Sequence, residues 1–500
     1  MEPQKRSTEI TLKKYVILCV VFGIVFALGV SAFVVSLWYK NNFNLEFKEL
    51  LYTLASPLKG TGQNTVWQIL SACLPPALAC VLGYVIVTIL FWNRCRETAW
   101  LRRTGAAICS LVLVVSLVLG TVWLRIPAYV KALQDKTTVY EDHYVDPEKV
   151  AITAAGETRN LIYIYVESLE TTYTSLELGG AQGINYMPLL TDLAEQNLSF
   201  SDKEAGQLGG FHTPLGTGWT MSALLATTSG IPFSFPLGEN GHNKMSQRET
   251  FASGLTTLGD ILEEKGYRQE FLCGSDAKFA GRDTYFKQHG NYEIFDLYTA
   301  RKEGYIPEDY YEFWGYEDEI LFKIARDEVR RLAAGDEPFN LTLLTVDLHH
   351  VGGYYCDICE NTYNSKLANV VSCTDRQVTA FVEWCRTQDF YEDTTIIITG
   401  DHPRMDTQLV STVEYDDRTI YNCFLNAVPT PAGEVNGRVF TSFDLFPTTL
   451  AALGFSIEGE RLGFGVNLFS AEATLAETMG YKELETEINK FSDYYIREFS

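Results

Sequence analysis

The chain has 500 residues, a length that suggests more than one domain. Its formal net charge is −23. Residues 1–130 hold 12 Lys and Arg against 5 Asp and Glu, whereas the remainder holds 28 against 58. A C-terminal part this acidic is repelled by nucleic acid and by anionic lipid surfaces, so the composition argues against a nucleic-acid-binding protein. An anionic substrate therefore needs a locally positive pocket, such as one containing a metal ion.

Three long apolar segments occupy the first third of the chain. They cover about residues 15–37, 70–92 and 106–123, and none contains a charged residue. Each is long enough, or nearly so, to cross a bilayer as a helix. We therefore expect residues 1–123 to form a membrane domain. A cleaved signal peptide followed by buried core helices is disfavoured, because the first segment is too long for a signal sequence.

Basic residues flank these segments asymmetrically. Lys and Arg concentrate before the first segment and between the second and third, at Lys5, Arg6, Lys13, Lys14, Arg94, Arg96, Arg102 and Arg103. Because cytoplasmic loops are enriched in such residues, we expect a multi-pass protein of the cell membrane with a cytoplasmic N-terminus. The loop 41–65 and everything after residue 123 are then predicted to be extracytoplasmic.

Strand-like runs alternate with helical patterns in the rest of the chain, after a predicted juxtamembrane linker at 124–155. The strand-like runs include 161–166, 269–273, 341–346 and 395–399, and the helical patterns include 257–265 and 318–333. This alternation predicts an α/β domain over 156–470, with a central, mainly parallel sheet flanked by helices. The tail 471–500 is predicted to be a charged, helical surface element.

Residues suited to chemistry directly follow three of these strand-like runs. Glu167 follows the first, Asp347 and His349 follow the third, and Asp401 and His402 follow the fourth. In open α/β sheets, ligands bind beyond the carboxyl ends of the strands. The sequence therefore predicts that these side chains meet at one edge of the sheet.

Thr220 is predicted to begin a helix that follows a Gly-rich turn and ends before Gly230. The positive end of a helix attracts phosphate oxygens and favours an alkoxide, although threonine is also an ordinary helix cap. Together with Glu167, Asp401 and His402, Thr220 completes a set of three oxygen ligands and one nitrogen ligand. Such a set suits Mn²⁺ or Mg²⁺ better than Zn²⁺, and it activates a threonine hydroxyl as a nucleophile. Taken singly, Glu167 also fits a surface residue and Asp401 a loop turn.

A second group of candidates is suited to binding a phosphate ester. Arg282 can make two parallel hydrogen bonds to a phosphate. Asp276 can accept a hydrogen bond from a substrate hydroxyl, and His349 can hold a phosphoryl oxygen or move a proton. A single Arg or His residue usually has a structural role. A binding role is favoured here because all three residues follow predicted strands.

Three cysteines lie close together in the sequence: Cys356, Cys359 and Cys373. Their spacing fits a zinc knuckle, a redox pair or a disulfide loop. The predicted extracytoplasmic location favours a disulfide, free thiols are the next alternative, and no fourth zinc ligand stands at a suitable spacing.

Eight segments carry a family resemblance in their order along the chain. They are NLIYIYVESLETTY (160–173), GTGWTMSALLATTSGIP (216–232), LGDILEEKGY (258–267), GSDAKFAGR (274–282), WGYEDEILF (314–322), LTVDLHHVGGY (344–354), TIIITGDH (395–402) and FDLFPTTLAALG (443–454). With them the chain resembles the MdoB-type phosphoglycerol transferases, which are relatives of lipoteichoic acid synthase in the alkaline phosphatase/sulfatase superfamily.

The resemblance implies roles for the candidate residues. A divalent metal ion, with Mn²⁺ preferred and Mg²⁺ or Zn²⁺ as alternatives, would be held by Glu167, Thr220, Asp401 and His402. Thr220 would be the nucleophile, and the glycerophosphate pocket would be lined by Asp276, Arg282 and His349. His350 is a second candidate for the histidine position.

The resemblance also implies a membrane-embedded transferase. It would move phosphoglycerol from phosphatidylglycerol, through a covalent glycerophospho-threonine, to a hydroxyl of a glycan or polymer. The alternatives are a phosphoethanolamine transferase, a phosphodiesterase, or an inactive module that binds lipid headgroups or polymers; the complete ligand set speaks against the last.

Two departures from related sequences bear on the substrate. Residues 279–282 read Phe-Ala-Gly-Arg where lipoteichoic acid synthases have Phe-Trp-Asn-Arg, so the missing Trp predicts a different substrate wall. The Cys/Ser-x-Pro-x-Arg motif of sulfatases is absent from the sequence, which argues against hydrolysis of sulfate esters.

Overall fold

The computed structural model describes residues 11–43, 47, 50–51, 63–154, 156, 158–235 and 250–499. The chain forms two compact units, one of residues 1–47 and 62–131 and the other of 48–61 and 132–500. Lys5 and Arg6, and most of the loop 41–65 that the sequence predicts to be extracytoplasmic, lie outside the described residues.

The first unit is built from three long apolar helices and a short polar one: α1 (Leu12–Asn42), α2 (Gln63–Leu90), the short polar α3 (Trp92–Glu97) and α4 (Ala99–Trp123). Three of them have the length and composition to cross a membrane, as the sequence predicts. Large apolar side chains such as Leu28 and Leu90 stay exposed, which suits a lipid surface. A Cβ on Gly29 of α1 would lie 2.8 Å from Leu113 Cα of α4, so a glycine allows these two helices to pack closely.

The remaining helices follow in the chain, beginning with α5, which directly follows α4. They are α5 (Ile126–Gln134), α6 (Val139–His143), α7 (Pro188–Gln196), α8 (Thr220–Ser229), α9 (Leu258–Glu264), α10 (Arg282–Gln288), α11 (Leu297–Lys302), α12 (Asp318–Ala333), α13 (Lys366–Arg386), α14 (Leu445–Ala452), α15 (Leu475–Met479), α16 (Tyr481–Asn489) and α17 (Asp493–Phe499).

The strands all belong to the second unit. They are β1 (Ile152–Ala154), β2 (Asn160–Val166), β3 (Arg268–Cys273), β4 (Glu293–Phe295), β5 (Phe339–Leu344), β6 (Thr394–Gly400), β7 (Asn422–Leu425), β8 (Phe455–Ile457), β9 (Arg461–Leu462) and β10 (Gly465–Val466). Six of them form the central sheet in the order β4-β3-β5-β2-β6-β7. All neighbours are parallel except β6 and β7, so the predicted mainly parallel sheet is confirmed.

Helices cover both faces of this sheet, which explains the continuous apolar runs of its strands. Alternate residues of β2 enter two separate apolar clusters. Tyr163 and Tyr165 lie in one cluster, whereas Ile162 and Ile164 lie in the other. Tyr165 also shares a hydrogen bond of 2.8 Å with Thr227, which joins β2 to α8. The helix that begins at Thr220 is therefore fixed against the central strand.

The third predicted strand ends two residues earlier than expected. β5 stops at Leu344, whereas the apolar run continues to Val346. The backbone N–H of Val346 instead donates to Asp318 Oδ1 at 2.7 Å, a carboxylate at the start of α12. A side-chain acceptor thus replaces a strand partner and turns the chain away from the sheet.

The C-terminal tail differs from the predicted surface element. Leu484, Ile488, Tyr495 and Phe499 are buried in the main apolar cluster, and Tyr495 Oη donates to the Pro232 carbonyl at 2.9 Å. Each pair is spaced by four residues, which places both members on one face of a helix. The prediction of a surface element is wrong for these four residues. Charged residues separate them in the sequence, but each helix brings its pair to one apolar face that packs on the core.

A fully buried ion pair joins Glu170, just after β2, to Arg418. Replacing Arg418 with methionine is expected to lower the free energy of unfolding by about 3–5 kcal/mol, because Glu170 would keep its buried charge without the paired guanidinium. Thermal unfolding of the full chain in detergent micelles measures this change. The control is Arg497→Met, which breaks an exposed pair with Glu498. Equal shifts of Tm in the two variants would contradict the expectation.

Candidate metal and phosphate site

The strands that precede the candidate residues end level with one another. Val166 of β2 pairs with Gly400 of β6, and Tyr165 pairs with Leu344 of β5. Cys273 of β3 pairs with the same Leu344. Because these strands are parallel, the residues that follow them emerge at a single edge of the sheet.

Four predicted ligands lie together at this edge. One ligand atom from each of Glu167, Asp401 and His402 lies within 4.8 Å of the others, and all three residues are buried. Thr220 Oγ1 lies 3.4 Å from Glu167 Oε2 and 3.4 Å from His402 Nε2. Thr220 is the first residue of α8, where the positive end of the helix favours negative charge on its oxygen.

Hydrogen bonds hold one oxygen of the Asp401 carboxylate in place, and the other oxygen accepts none from the described residues. Its Oδ1 accepts from the backbone N–H groups of Ser168 and His402, each at 2.8 Å. Its Oδ2 is buried and accepts no hydrogen bond from the part of the chain that the structure describes. A buried carboxylate oxygen without a donor fits a cation as its partner.

The orientation of His402 fits the same interpretation. Its Nδ1 lies 2.9 Å from the carbonyl oxygen of Pro403, which can only accept, so Nδ1 carries the proton. In the neutral ring Nε2 then presents its lone pair towards Asp401 Oδ2 at 3.3 Å and Glu167 Oε1 at 3.6 Å. Metal-binding histidines are commonly oriented in this way by a backbone carbonyl.

The charges of the site also favour a bound cation. Burial and the neighbouring Glu167 raise the pKa of Asp401 to about 7. Two carboxylates this close and this buried repel each other, and a divalent cation offsets that repulsion. The donor set is rich in oxygen and therefore fits a divalent metal ion.

A buried arginine supports the loop that carries Asp401 and His402. Arg404 Nε donates to Asp406 Oδ1 at 2.7 Å, and Nη1 donates to the Leu348 carbonyl at 2.6 Å. These bonds join the loop after β6 to the loop after β5. Sequence reasoning missed Arg404, whose position two residues after His402 was the available signal.

Arg282 is held close to the chain that follows β3. Its Nη2 donates to Ser275 Oγ at 3.0 Å and to the Asp276 carbonyl at 2.8 Å, and its Nε donates to the Phe279 carbonyl at 3.2 Å. Nη1 makes no hydrogen bond within the part of the chain that the structure describes. Asp276 is half-buried, and its Oδ2 lies 3.4 Å from Tyr298 Oη.

His349 stands beside an aromatic residue that sequence reasoning did not single out. The rings of Trp314 and His349 are 4.4 Å apart, and those of Trp314 and Phe279 are 5.8 Å apart. A tryptophan from a different segment therefore packs against both Phe279 and His349. The WGYEDEILF motif was the available signal.

The protonation of His349 follows from its surroundings. Its Nδ1 donates to the His350 carbonyl at 2.8 Å. Burial lowers the pKa of His349, and the negative charge of Glu167 opposes that shift. The neutral ring therefore presents Nε2 as a proton acceptor. His350, the alternative candidate, stacks on His349 with the rings 4.2 Å apart.

Asp347, for which the sequence suggests no role, pairs with Asp318 at the start of α12. Each carboxylate accepts from the other residue's backbone N–H, at 3.2 and 3.1 Å. Burial raises the pKa of Asp347 well above its ordinary value, with a further contribution from Asp318. Burial likewise raises the pKa of Asp318 to about 7.

This pair gives a pH-dependent prediction. The folded pair holds protons that the unfolded carboxyls release near pH 4, so it costs stability as the pH rises from about 4 to about 7. Asp347→Asn removes one of the two ionisable groups, and we expect it to stabilise the chain by about 1–3 kcal/mol at pH 8 and by little at pH 5. Thermal unfolding at both pH values measures the difference, with the exposed Asp309→Asn as control. A gain that is independent of pH would contradict the expectation.

Comparisons with known proteins agree with the resemblance seen in the sequence. Phosphoglycerol transferase I from Xanthomonas campestris pv. campestris is 29% identical over 345 residues, which cover 68% of this chain and 46% of that protein. Phosphoglycerol transferase I from Escherichia coli is 28% identical over 410 residues, which cover 80% of this chain and 50% of that protein. The chain thus spans about half the length of the curated relatives it matches.

A structural match and a family model complete the comparison. The crystal structure of the lipoteichoic acid synthase LtaP from Listeria monocytogenes matches with a TM-score of 0.49 and 18% identity, over 64% of this chain and 79% of that chain. A family model described as sulfatase matches residues 159–455, which is more than half of the chain. The chain therefore belongs to the sulfatase family.

Proposed function

We propose that the chain is a membrane-anchored, metal-dependent transferase that moves phosphoglycerol from phosphatidylglycerol to a hydroxyl of a glycan or polymer. The observation that carries the proposal is Thr220 Oγ1, which lies 3.4 Å from both Glu167 Oε2 and His402 Nε2 at the start of a helix. A hydroxyl in this position suits a nucleophile for group transfer. The phosphoglycerol transferases among the relatives supply the substrate class.

Glu167, Thr220, Asp401 and His402 would hold the metal ion, and Mn²⁺ suits their oxygen-rich set. When bound, the ion supplies positive charge that stabilises a nucleophilic oxygen and the phosphoryl oxygens. Asp401 Oδ2 and His402 Nε2 already lie 3.3 Å apart. Little reorganisation of these side chains is then needed for binding.

The proposed reaction has two displacements at one phosphorus atom. In the first, Thr220 Oγ1 loses its proton and bonds to phosphorus, the bond to the diacylglycerol oxygen breaks, and that oxygen takes up a proton. In the second, an acceptor hydroxyl bonds to phosphorus and passes its proton to His349 Nε2, the bond to Thr220 breaks, and the Thr220 oxygen takes up a proton while His349 releases one to solvent. Arg282 binds a phosphoryl oxygen, and Asp276 accepts a hydrogen bond from a hydroxyl of the glycerol.

The proposed organisation follows the chain. Residues 1–123 form a three-helix membrane domain, 124–155 a linker, 156–470 the catalytic domain, and 471–500 a helical tail. The N-terminus is cytoplasmic and the catalytic domain is extracytoplasmic, because Lys and Arg concentrate around the start of α1 and from α3 to the first turns of α4. Protease digestion of intact cells tests this orientation; protection of the catalytic domain would contradict it.

The donor is tested with the full chain in liposomes. One preparation contains phosphatidylglycerol labelled in its headgroup, and a matched one contains labelled phosphatidylethanolamine. We expect release of diacylglycerol from phosphatidylglycerol alone, dependent on added Mn²⁺ and increased by glycan acceptors that take up the label. Release from phosphatidylethanolamine alone would identify a phosphoethanolamine transferase. Release of free glycerophosphate despite acceptors would identify a phosphodiesterase.

A further inference from the structure

Three buried cysteines form a cluster apart from the Thr220 site. Cys356 Sγ lies 3.3 Å from Cys359 Sγ and 3.7 Å from Cys373 Sγ, and all three sulfurs lie within 4.8 Å of one another. Cys356 and Cys359 belong to the loop between β5 and α13, whereas Cys373 belongs to α13. All three are free thiols in the structure, so the disulfide that the sequence favours is not formed there.

The spacing of the sulfurs fits coordination of a metal ion. Zn–S bonds of about 2.3 Å place two sulfurs of a tetrahedral site about 3.8 Å apart, whereas a disulfide needs about 2.05 Å. The cluster is a triangle in which Cys356 is near both other sulfurs. A single disulfide would use two of the three and leave the third thiol buried beside it.

The backbone and its neighbours are arranged to support such a site. The Cys359 N–H donates to the Cys356 carbonyl at 3.1 Å, which closes the Cys-x-x-Cys turn so that both sulfurs face α13. Gln377 Nε2 lies 3.6 Å from Cys373 Sγ and offers a hydrogen bond to a thiolate. Arg376 approaches the same turn, with Nη2 3.5 Å from the Ile358 carbonyl, and adds positive charge beside three sulfurs.

We propose that Cys356, Cys359 and Cys373 bind one thiophilic divalent cation of the Zn²⁺ class. Three thiolates bind it from the protein, and one water molecule supplies the fourth ligand. Binding releases the thiol protons as the metal–sulfur bonds form. The site lies outside the Glu167, Asp401 and His402 group and shares no ligand with it.

The bound cation would hold the loop that carries His349 against α13. Tyr354 packs against the cysteine cluster, and its ring stacks on Phe313 with the ring centres 5.7 Å apart. Phe313 in turn lies 6.3 Å from the His349 ring. The proposed site therefore has a structural role, because it ties the loop after β5 to α13 next to the aromatic wall around His349.

Cobalt substitution distinguishes the two sites spectroscopically. Thiolate ligands give Co²⁺ an intense sulfur-to-metal charge-transfer absorption, which oxygen and nitrogen ligands do not. We expect the full chain, purified in detergent with reductant and loaded with Co²⁺, to show this absorption. Cys356→Ser, Cys359→Ser and Cys373→Ser are expected to lose it, and Cys385→Ser, which alters another buried cysteine of α13, is expected to keep it.

A measurement on the unaltered chain covers the case in which the serine variants fail to fold. Zn²⁺ is expected to protect Cys356, Cys359 and Cys373 from alkylation, and a chelator is expected to expose all three, as read by peptide mass spectrometry. Absence of the charge-transfer absorption in the Co²⁺-loaded chain would overturn the proposal. A disulfide between any two of the three in protein isolated without reductant would also overturn it. Neither outcome depends on the transferase activity.

Discussion

Replacing Thr220 with alanine is expected to reduce diacylglycerol release from phosphatidylglycerol by roughly 10³-fold or more. The substitution removes the hydroxyl that lies 3.4 Å from Glu167 Oε2 and from His402 Nε2. Alanine has a high helix propensity, so α8 is expected to form in the variant as it does in the original chain. Initial rates with labelled phosphatidylglycerol in liposomes measure the loss.

A matched serine variant separates chemistry from structure. Thr220→Ser keeps a hydroxyl and loses one methyl group, so it is expected to retain measurable turnover. Both variants should unfold within a few degrees of the original chain, because Thr220 is only half-buried. Turnover by Thr220→Ala at the rate of the original chain would exclude Thr220 as the nucleophile.

Replacing Asp401 with asparagine is expected to weaken Mn²⁺ binding by at least about 100-fold, with a parallel loss of turnover. The amide oxygen of asparagine can still accept from the N–H groups of Ser168 and His402, as Oδ1 does now. The change is therefore confined to Oδ2, the buried oxygen without a donor among the described residues. Titration with Mn²⁺, followed by the electron paramagnetic resonance signal of the free ion, gives the affinity.

Asp444 provides the control for this experiment. It is also a buried carboxylate that accepts from backbone N–H groups, those of Thr441 and Val466. Asp444→Asn is expected to alter stability while leaving Mn²⁺ affinity unchanged. Equal Mn²⁺ affinity in Asp401→Asn and the original chain would remove Asp401 from the ligand set.

Local patterns in the sequence were sufficient for much of the sheet and its edge. The strands β2 and β6 are short apolar runs that are each followed by an acidic residue, and the parallel register places Glu167 and Asp401 together. Helix α8 begins at Thr220 and ends before Gly230, which adopts a positive φ of 69°, as the glycine pattern predicts. These features depend on periodicity and turn chemistry within a few residues.

Other features depend on contacts between distant segments and have no local pattern. Arg404 supports its loop by donating a hydrogen bond to the carbonyl of Leu348, which lies 56 residues away in the sequence. Trp314 contacts His349 through the packing of the loops that follow α11 and β5. The burial of Tyr495 depends on residues that precede it by more than 200 positions, including Pro232. A single sequence shows which functional groups such residues carry, but it does not show which distant residues they contact.

The most direct test of the proposed mechanism is to trap its covalent intermediate. The full chain is incubated with phosphatidylglycerol and Mn²⁺ without an acceptor, quenched with acid, and digested for mass spectrometry. The account predicts one added glycerophosphoryl group on the peptide that contains Thr220, and its loss when an acceptor glycan is added before quenching. Release of diacylglycerol with the added group on another residue, or with no modified peptide at any time during turnover, would contradict the account.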